Sequence, residues 1–387
     1  MTPIHGVRAL ALALVVVPAS VGAQDCDAPC IGYAVSTELE NFAIVDARPN
    51  SDATNALEPT IDVSLALAPV DEVRLVGVLV TESVRDATPG KDRAFEDIGT
   101  FAEELYVEMD LDPVTLRAGK LNPTFGLATD VLDGIAATDL VGDYDNTEKL
   151  GAEGLVEFEA FGVAQALTAS VFTVDRTEFS ESVFTDRGRF RLEDGGAGNT
   201  RGFGSFVLFH DACWDADAVD CFDEGVFGVR TGLRYQKAGR ATAEDIEDEI
   251  VPRDEFGYLV APILRIDIDD DTTLRLLTEF AYFEHVEGSP DDAMTTTGSA
   301  AVEFGSWVAM ATYSRRRNFV VAEPDTTDEL VDLTIEHDLD GVSVFGPETW
   351  KLAAGYSYAE NGDGTITHSV NLRLSINLEG ASAIGGN

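Results

Sequence analysis

Basic residues are scarce in this chain of 387 residues. Only 26 Lys and Arg stand against 70 Asp and Glu, for a formal net charge of −44. Phosphate contacts need clustered Lys and Arg, so nucleic acid is excluded as a partner. Histidine is sparser still, at five residues. His210, His285, His337 and His368 occur singly, with no H-E-x-x-H or similar cluster, and nothing in the sequence calls for a metal or another cofactor. No G-x-S-x-G elbow is present. The one suggestive adjacency, His210 beside Asp211, falls at a predicted turn, so an enzyme is not expected. Beyond the N-terminus no apolar run reaches the roughly 18 residues of a membrane-spanning helix.

Cysteine is rare but patterned. The four cysteines form two close pairs, Cys26/Cys30 in "CDAPC" and Cys213/Cys221 in "CWDADAVDC". Neither spacing is Cys-x-x-Cys, which argues against zinc, and exported thiols oxidise. Disulfides Cys26–Cys30 and Cys213–Cys221 are therefore expected. Export itself is read from the start of the chain. Arg8 precedes "ALALALVVVPASVGA", too short to span a bilayer and ending in small residues. Residues 1–23 are expected to be a signal peptide cleaved after Ala23. The remainder, 24–387, shows no linker or composition shift and reads as a single domain.

What is abundant is alternation. In "EELYVEMDLDPVTLRAGKLNPTFG", residues 103–126, Leu105, Val107, Met109 and Leu111 alternate with Tyr106, Glu108 and Asp110. After Asp112-Pro113 the pattern restarts, with Val114, Leu116 and Ala118 against Thr115 and Arg117. Similar segments lie at about 31–44, 60–68, 73–84, 101–111, 114–124, 149–159, 162–175, 201–210, 225–237, 254–268, 272–286, 294–304, 307–319, 328–338, 350–360 and 365–378. These are sixteen segments, most near ten residues, the length a tilted strand needs to cross a membrane. Segments 73–84 and 162–175 alternate poorly.

The breaks also alternate. "PVDE", "DP", "EAFG", "DDDT" and "FGSW" are short, whereas "FGLATDVLDGIAATDLVGDYDNTE" and "RTEFSESVFTDRGRFRLEDGGAGNT" are long. One end then carries short turns and the other long acidic loops, as outer-membrane barrels do. The expected fold is an all-β transmembrane antiparallel barrel of about sixteen strands, lipid outside and water inside, since side chains cannot fill a barrel that wide.

"LRAGKLNPTFG", on a strand entering a long loop, resembles the "RAGK-x-x-P-x-FG" stretch of Gram-negative outer-membrane porins, especially the phosphate-selective and related ones. Porins end their last strand on an aromatic residue. Here the last strand is expected to stop near Leu378, followed by "EGASAIGGN". The resemblance implies location in the cell outer membrane, passive diffusion of ions and small hydrophilic solutes, lipid as the surrounding partner and a homotrimer. It also implies that the third external loop, about 125–148, folds into the pore. Asp130, Asp133, Asp139, Asp143 and Asp145 would then form an acidic lip. Opposite it, Arg117, Arg230, Arg234, Arg275, Lys351 and Arg373 fall on lumen-facing positions and would form a basic wall, the opposed rings by which pores select permeants. Two other functions fit the same barrel: uptake of one dedicated substrate such as a siderophore or phosphate, and surface adhesion or cation binding through acidic loops.

Overall fold

The computed structural model describes residues 28–49, 53–132, 134–215, 222, 225–247, 250–321, 323–339 and 348–384. The expected signal segment 1–23, Cys26, Cys221 and Asp133 lie outside them. Neither described cysteine, Cys30 or Cys213, is free.

Sixteen long strands follow the alternating segments: β1 (Cys30–Arg48), β2 (Thr54–Val70), β3 (Val73–Ser83), β4 (Ile98–Asp110), β5 (Val114–Leu121), β6 (Lys149–Ala160), β7 (Val163–Val174), β8 (Ser205–Trp214), β9 (Phe227–Gln236), β10 (Glu255–Asp269), β11 (Thr272–Glu284), β12 (Asp292–Phe304), β13 (Trp307–Phe319), β14 (Thr326–Asp338), β15 (Glu348–Glu360) and β16 (Ile366–Ala383). Each pairs antiparallel with its neighbours in sequence, and β1 pairs with β16 from Cys30↔Ala383 to Arg48↔Ile366, closing the barrel. Closure leaves no long strand with a free edge, which a bilayer would not tolerate.

The outer face answers the question of solvent. Leu65, Leu105, Val107, Leu116, Leu208, Val260, Phe280, Leu333, Leu352 and Leu372 are all exposed. Their strand neighbours Ala66, Tyr106, Glu108, Val207, Glu279, Asp332, Ala353, Asn371 and Arg373 point inward and are buried. With a strand period of two, a band of exposed Leu and Val around a closed wall faces lipid. The short turns are built locally. Between β6 and β7 both turn residues, Phe161 and Gly162, have positive φ (58° and 73°), as a tight two-residue hairpin requires.

Three boundaries differ from the sequence expectation. β1 and β2 are longer, joined only through 49–53. β8 lies four residues later than expected, so His210 and Asp211 sit within a strand and not at a turn. The register Asp211↔Arg230 brings an inward carboxylate opposite an inward guanidinium, and that pairing sets the shift. Finally, β16 continues past Leu378 to Ala383, because β1 begins at Cys30 and offers backbone partners to Ala381, Ser382 and Ala383.

Candidate pore constriction

β5 is only eight residues long, and its end starts the inward turn. Gly119 has φ 147°, and a Cβ there would lie 2.3 Å from the Leu105 carbonyl oxygen, so the chain passes too close for a side chain. Asn122 then closes the base of the loop. Its Nδ2 donates to Glu103 (2.9 Å), its backbone N–H donates to Glu104 (3.1 Å), and its Oδ1 accepts from the Glu148 N–H (2.6 Å). Glu103 is an extra residue in the β3/β4 register, and this bulge brings two consecutive carboxylates to Asn122. Lys120, 3% exposed, bridges Glu148 (2.7 Å) and Asp175 (3.1 Å), joining both ends of the loop to the next long connection. The Gly, Lys, Asn and Phe of the porin-like stretch each act at this corner. Where β5 is missing from the wall, Val183–Phe184 pairs with Gly99 and Thr100 of β4.

The loop 122–148 lies inside the barrel. Phe125, Leu127, Val131, Val141 and Tyr144 pack against inward residues of β7 to β11, among them Phe172, Phe209, Leu259, Ile263 and Phe283. Burial of each such side chain contributes roughly 1.5–3 kcal/mol. Six polar side chains of the wall then anchor the loop. Glu279 on β11 accepts from the N–H groups of Leu127 (2.6 Å) and Ala128 (3.0 Å) and from the Tyr144 hydroxyl. Arg230 donates to the Gly126 carbonyl (2.7 Å), and Arg234 to that of Tyr144. Arg316 on β13 pairs with Asp143 (2.8 Å). Across the lumen on β14, Asp332 accepts from the Ala136 N–H (3.1 Å) and Thr334 from that of Ile135 (3.2 Å). The loop therefore spans from the β5 corner to β14.

Each sequence-selected residue has a definite place. Asp130 pairs with Arg230 (2.9 Å), and Asp143 with Arg316. Asp145 accepts from the Asn146 N–H (2.9 Å). Asp139 is within electrostatic reach of Asp332, Asp143 and, on the facing wall, Glu40. Asp133 is not described. The basic side chains do lie on inward positions, yet they do not form one open wall. Arg230, 7% exposed, is clamped by Asp211 (2.9 Å) and Asp130. Arg234, 3% exposed, pairs with Glu255 (2.8 Å). Arg275 stands beside Val131 and Leu132 of the loop. Arg117 pairs with Glu108 (2.9 Å) and Glu153 (3.2 Å) on the strands beside it, not with the loop. Lys351 and Arg373 share Glu336 (2.9 and 3.2 Å), and Arg373 also approaches Glu40 at 3.9 Å. Arg117, Arg230, Arg234, Lys351 and Arg373 each lie within ion-pair distance of a carboxylate, and most of their field is cancelled at short range.

The remaining inner wall carries an excess of carboxylates that sequence reading did not single out. Glu38 and Glu40 on β1, Glu58 and Asp62 on β2, Glu82 on β3, and Glu103 and Glu104 on β4 all point inward. Glu58 is held by Arg93. Asp62 Oδ1 and Glu82 Oε2 have no hydrogen-bond partner among the described residues. Glu38, Asp62, Glu82, Glu103 and Glu104 make no ion pair among the described residues. Their signal was available, since each falls on the polar phase of an alternating segment; their clustering was not, because it depends on four strands lying side by side.

His210 and Asp211 do not form a catalytic pair. His210 Nε2 meets the Gln165 side chain (2.9 Å), and Asp211 is taken by Arg230.

No protein-family profile and no curated protein matches the chain. Solved structures do. OprB of Pseudomonas putida is similar with a TM-score of 0.60 at 10% identity, over 90% of this chain and 94% of that one. The outer membrane channel DcaP of Acinetobacter baumannii gives 0.51 at 9% identity, over 92% and 99%. OmpT of Vibrio cholerae, an outer membrane protein in a trimer form, gives 0.50 at 12% identity, over 90% and 99%. At such identities the likeness is one of fold, and it agrees with the lipid-facing band and the inward loop. The chain therefore has the fold of outer-membrane porins, a closed antiparallel β-barrel of sixteen long strands.

Proposed function

We propose that this barrel is a porin, a water-filled channel for passive diffusion of ions and small hydrophilic solutes, and that its constriction prefers cations. The observation that carries the preference is the excess of carboxylates on β1 to β4 that make no ion pair among the described residues. A low-dielectric wall with one sign of charge concentrates counter-ions. The lumen arginines, bound to carboxylates, oppose this little.

Reversal potentials of the purified protein in planar bilayers under a KCl gradient test the proposal. Cation selectivity is expected, reduced in Asp62→Asn combined with Glu82→Gln. Anion selectivity in the wild type, or folded protein that never conducts, would sink it. A channel requires no catalytic group, and the engagement of His210 and Asp211 elsewhere supports a non-enzymatic role. The trimer form of the OmpT neighbour supports a homotrimer here. Export through residues 1–23 and the bridges Cys26–Cys30 and Cys213–Cys221 belong to the same reading. Non-reducing peptide mapping that finds free thiols would remove the bridges. A barrel dedicated to one substrate is the second reading, favoured by a walled cavity beside Lys149.

A further inference from the structure

A cavity of about 290 Å³ opens at the long-loop end of the barrel, beside the constriction loop. The ends of β6, β9, β10 and β11 reach it through Lys149, Gln236, Glu255 and Phe283. Tyr144 and Phe283, with ring centroids 5.3 Å apart, line its inner side, and Phe190 borders it from the loop 175–204. Gly195, Gly196 and Ala197 line it from the same loop, and the segment is tied down. The Gly198 N–H donates to the Lys237 carbonyl (2.9 Å), and Asn199 Nδ2 donates to the carbonyls of Arg191 (2.7 Å) and Gly195 (2.9 Å). The close approach of Gly239 to the Gly196 carbonyl, 2.3 Å from where a Cβ would stand, seals this side. The volume suits a small metabolite and the walls are formed in advance.

Its charges are not all used. Arg234 is paired with Glu255 and Arg316 with Asp143, both at 2.8 Å. The Lys149 ammonium makes no hydrogen bond or ion pair among the described residues. Asn146 is 1% exposed and its Nδ2 has no acceptor among the described residues, nor does the Nε of Arg234. Unmet buried donors cost free energy until an acceptor arrives. Of the carboxylates that line it, Glu287 is exposed and makes no ion pair among the described residues, and Asp145 there keeps one oxygen free of hydrogen bonds. Glu287 and His285 both hold positive φ (56° and 57°), a conformation seldom adopted by residues with a side chain and concentrated at binding sites. The Glu287 N–H is fixed on Glu255 (2.7 Å), so this backbone is held in place.

We propose that the cavity binds a small zwitterion of the α-amino-acid class, its carboxylate on Lys149 and Asn146, its ammonium on Glu287 and Asp145, and its side chain against Phe190. A simple anion would leave two carboxylates repelling it. A simple cation would meet the Lys149 ammonium. A neutral sugar would leave both ends of the cavity unpaired. The inference rests on the porin reading only for the path onward to the constriction.

Calorimetric titration of the full-length protein in detergent tests it with three probes of one shape: phenylalanine, phenethylamine and 3-phenylpropionate. Phenylalanine is expected to bind at least about tenfold more tightly than either singly charged probe, the scale of one lost charge-assisted contact. Lys149→Met and Glu287→Gln should each weaken phenylalanine about tenfold, with heat-modifiable gel mobility unchanged. Equal binding of the three probes, or tightest binding of a singly charged one, would overturn the proposal. If Lys149→Met does not fold, Glu287→Gln decides alone, since it changes an exposed loop side chain; unchanged affinity there also overturns it. Binding without conductance in bilayers would reject the porin reading and uphold the site, whereas conductance without binding would reject the site.

Discussion

Two sectors of the same wall obey the same outer rule and opposite inner ones. From β7 to β11 much of the inward surface is apolar: Phe172, Val207, Phe209, Leu259, Ala261, Ile263, Leu277, Ala281 and Phe283. From β1 to β4 most are charged or polar: Ser36, Glu38, Glu40, Glu58, Asp62, Ser64, Glu82, Glu103 and Glu108. On the outside both sectors carry Leu and Val. The outer face is uniform because one solvent, lipid, surrounds it. The inner face divides because the constriction loop covers one half and leaves the other to water. Polar anchors such as Glu279, Arg230 and Arg234 are set within the apolar half, each with its partners, because an unmet polar group in such a core is costly.

The largest contrast should come from the covered sector. Phe283→Ala removes a ring packed on Phe125 (5.8 Å) and Tyr144 (5.3 Å) and lying under the Arg234 guanidinium (4.5 Å). A loss of roughly 3–5 kcal/mol is expected in denaturant unfolding of the lipid-embedded barrel, with higher conductance as the loop loosens. Glu38→Ala on the open sector should change stability by no more than about 0.5 kcal/mol. Equal effects would mean that the loop does not pack as described.

On the outer face the two sectors should behave alike. Leu105→Arg and Leu208→Arg each place a charge in lipid, at a cost of roughly 2–4 kcal/mol near the midplane, measurable as reduced insertion. If one were harmless, that part of the wall would be covered by protein.

Glu279→Gln keeps the shape of the anchor but removes the charge that three donors of the loop share. Hydrogen bonds to charged groups contribute about 1.5–3 kcal/mol, so a loss in that range is expected, with larger fluctuations of the open-channel current. A quiet channel of unchanged stability would show that apolar packing alone holds the loop.

The smallest effect is one of pH. Burial, followed by the repulsion of Asp130, pushes the Asp145 carboxyl up to about 6. Burial likewise raises Asp139 well above the usual carboxylate range, with Asp332, Glu40 and Asp143 adding repulsion. A raised carboxyl holds its proton more tightly in the folded loop than in the unfolded chain. Loop stability should therefore increase as pH falls from above about 6 towards the ordinary value near 3.9, while the loss of negative charge lowers cation preference. Current noise and reversal potential, recorded across that interval, should decrease together; noise that rises on acidification would contradict the assignment.

The sixteen strands, the lipid face, the short-turn and long-loop ends, and the corner at "LRAGKLNPTFG" were legible in the sequence. Each rests on a local cause: a period of two against a single outer solvent, or a backbone that must turn at Gly119 and Asn122. A further sign was present but is ambiguous by itself. β10 is apolar on both faces through Tyr258, Leu259, Val260 and Ala261, which a strand covered by a loop shares with one in a soluble core. Only the tertiary structure decided which carboxylates meet which cations and where the loop lands. Ala136 meets Asp332 across 196 residues of sequence, and Leu127 meets Glu279 across 152. The alternation that places a side chain inside the barrel carries no information about what stands across the lumen. Curvature and closure alone bring those partners within hydrogen-bond distance.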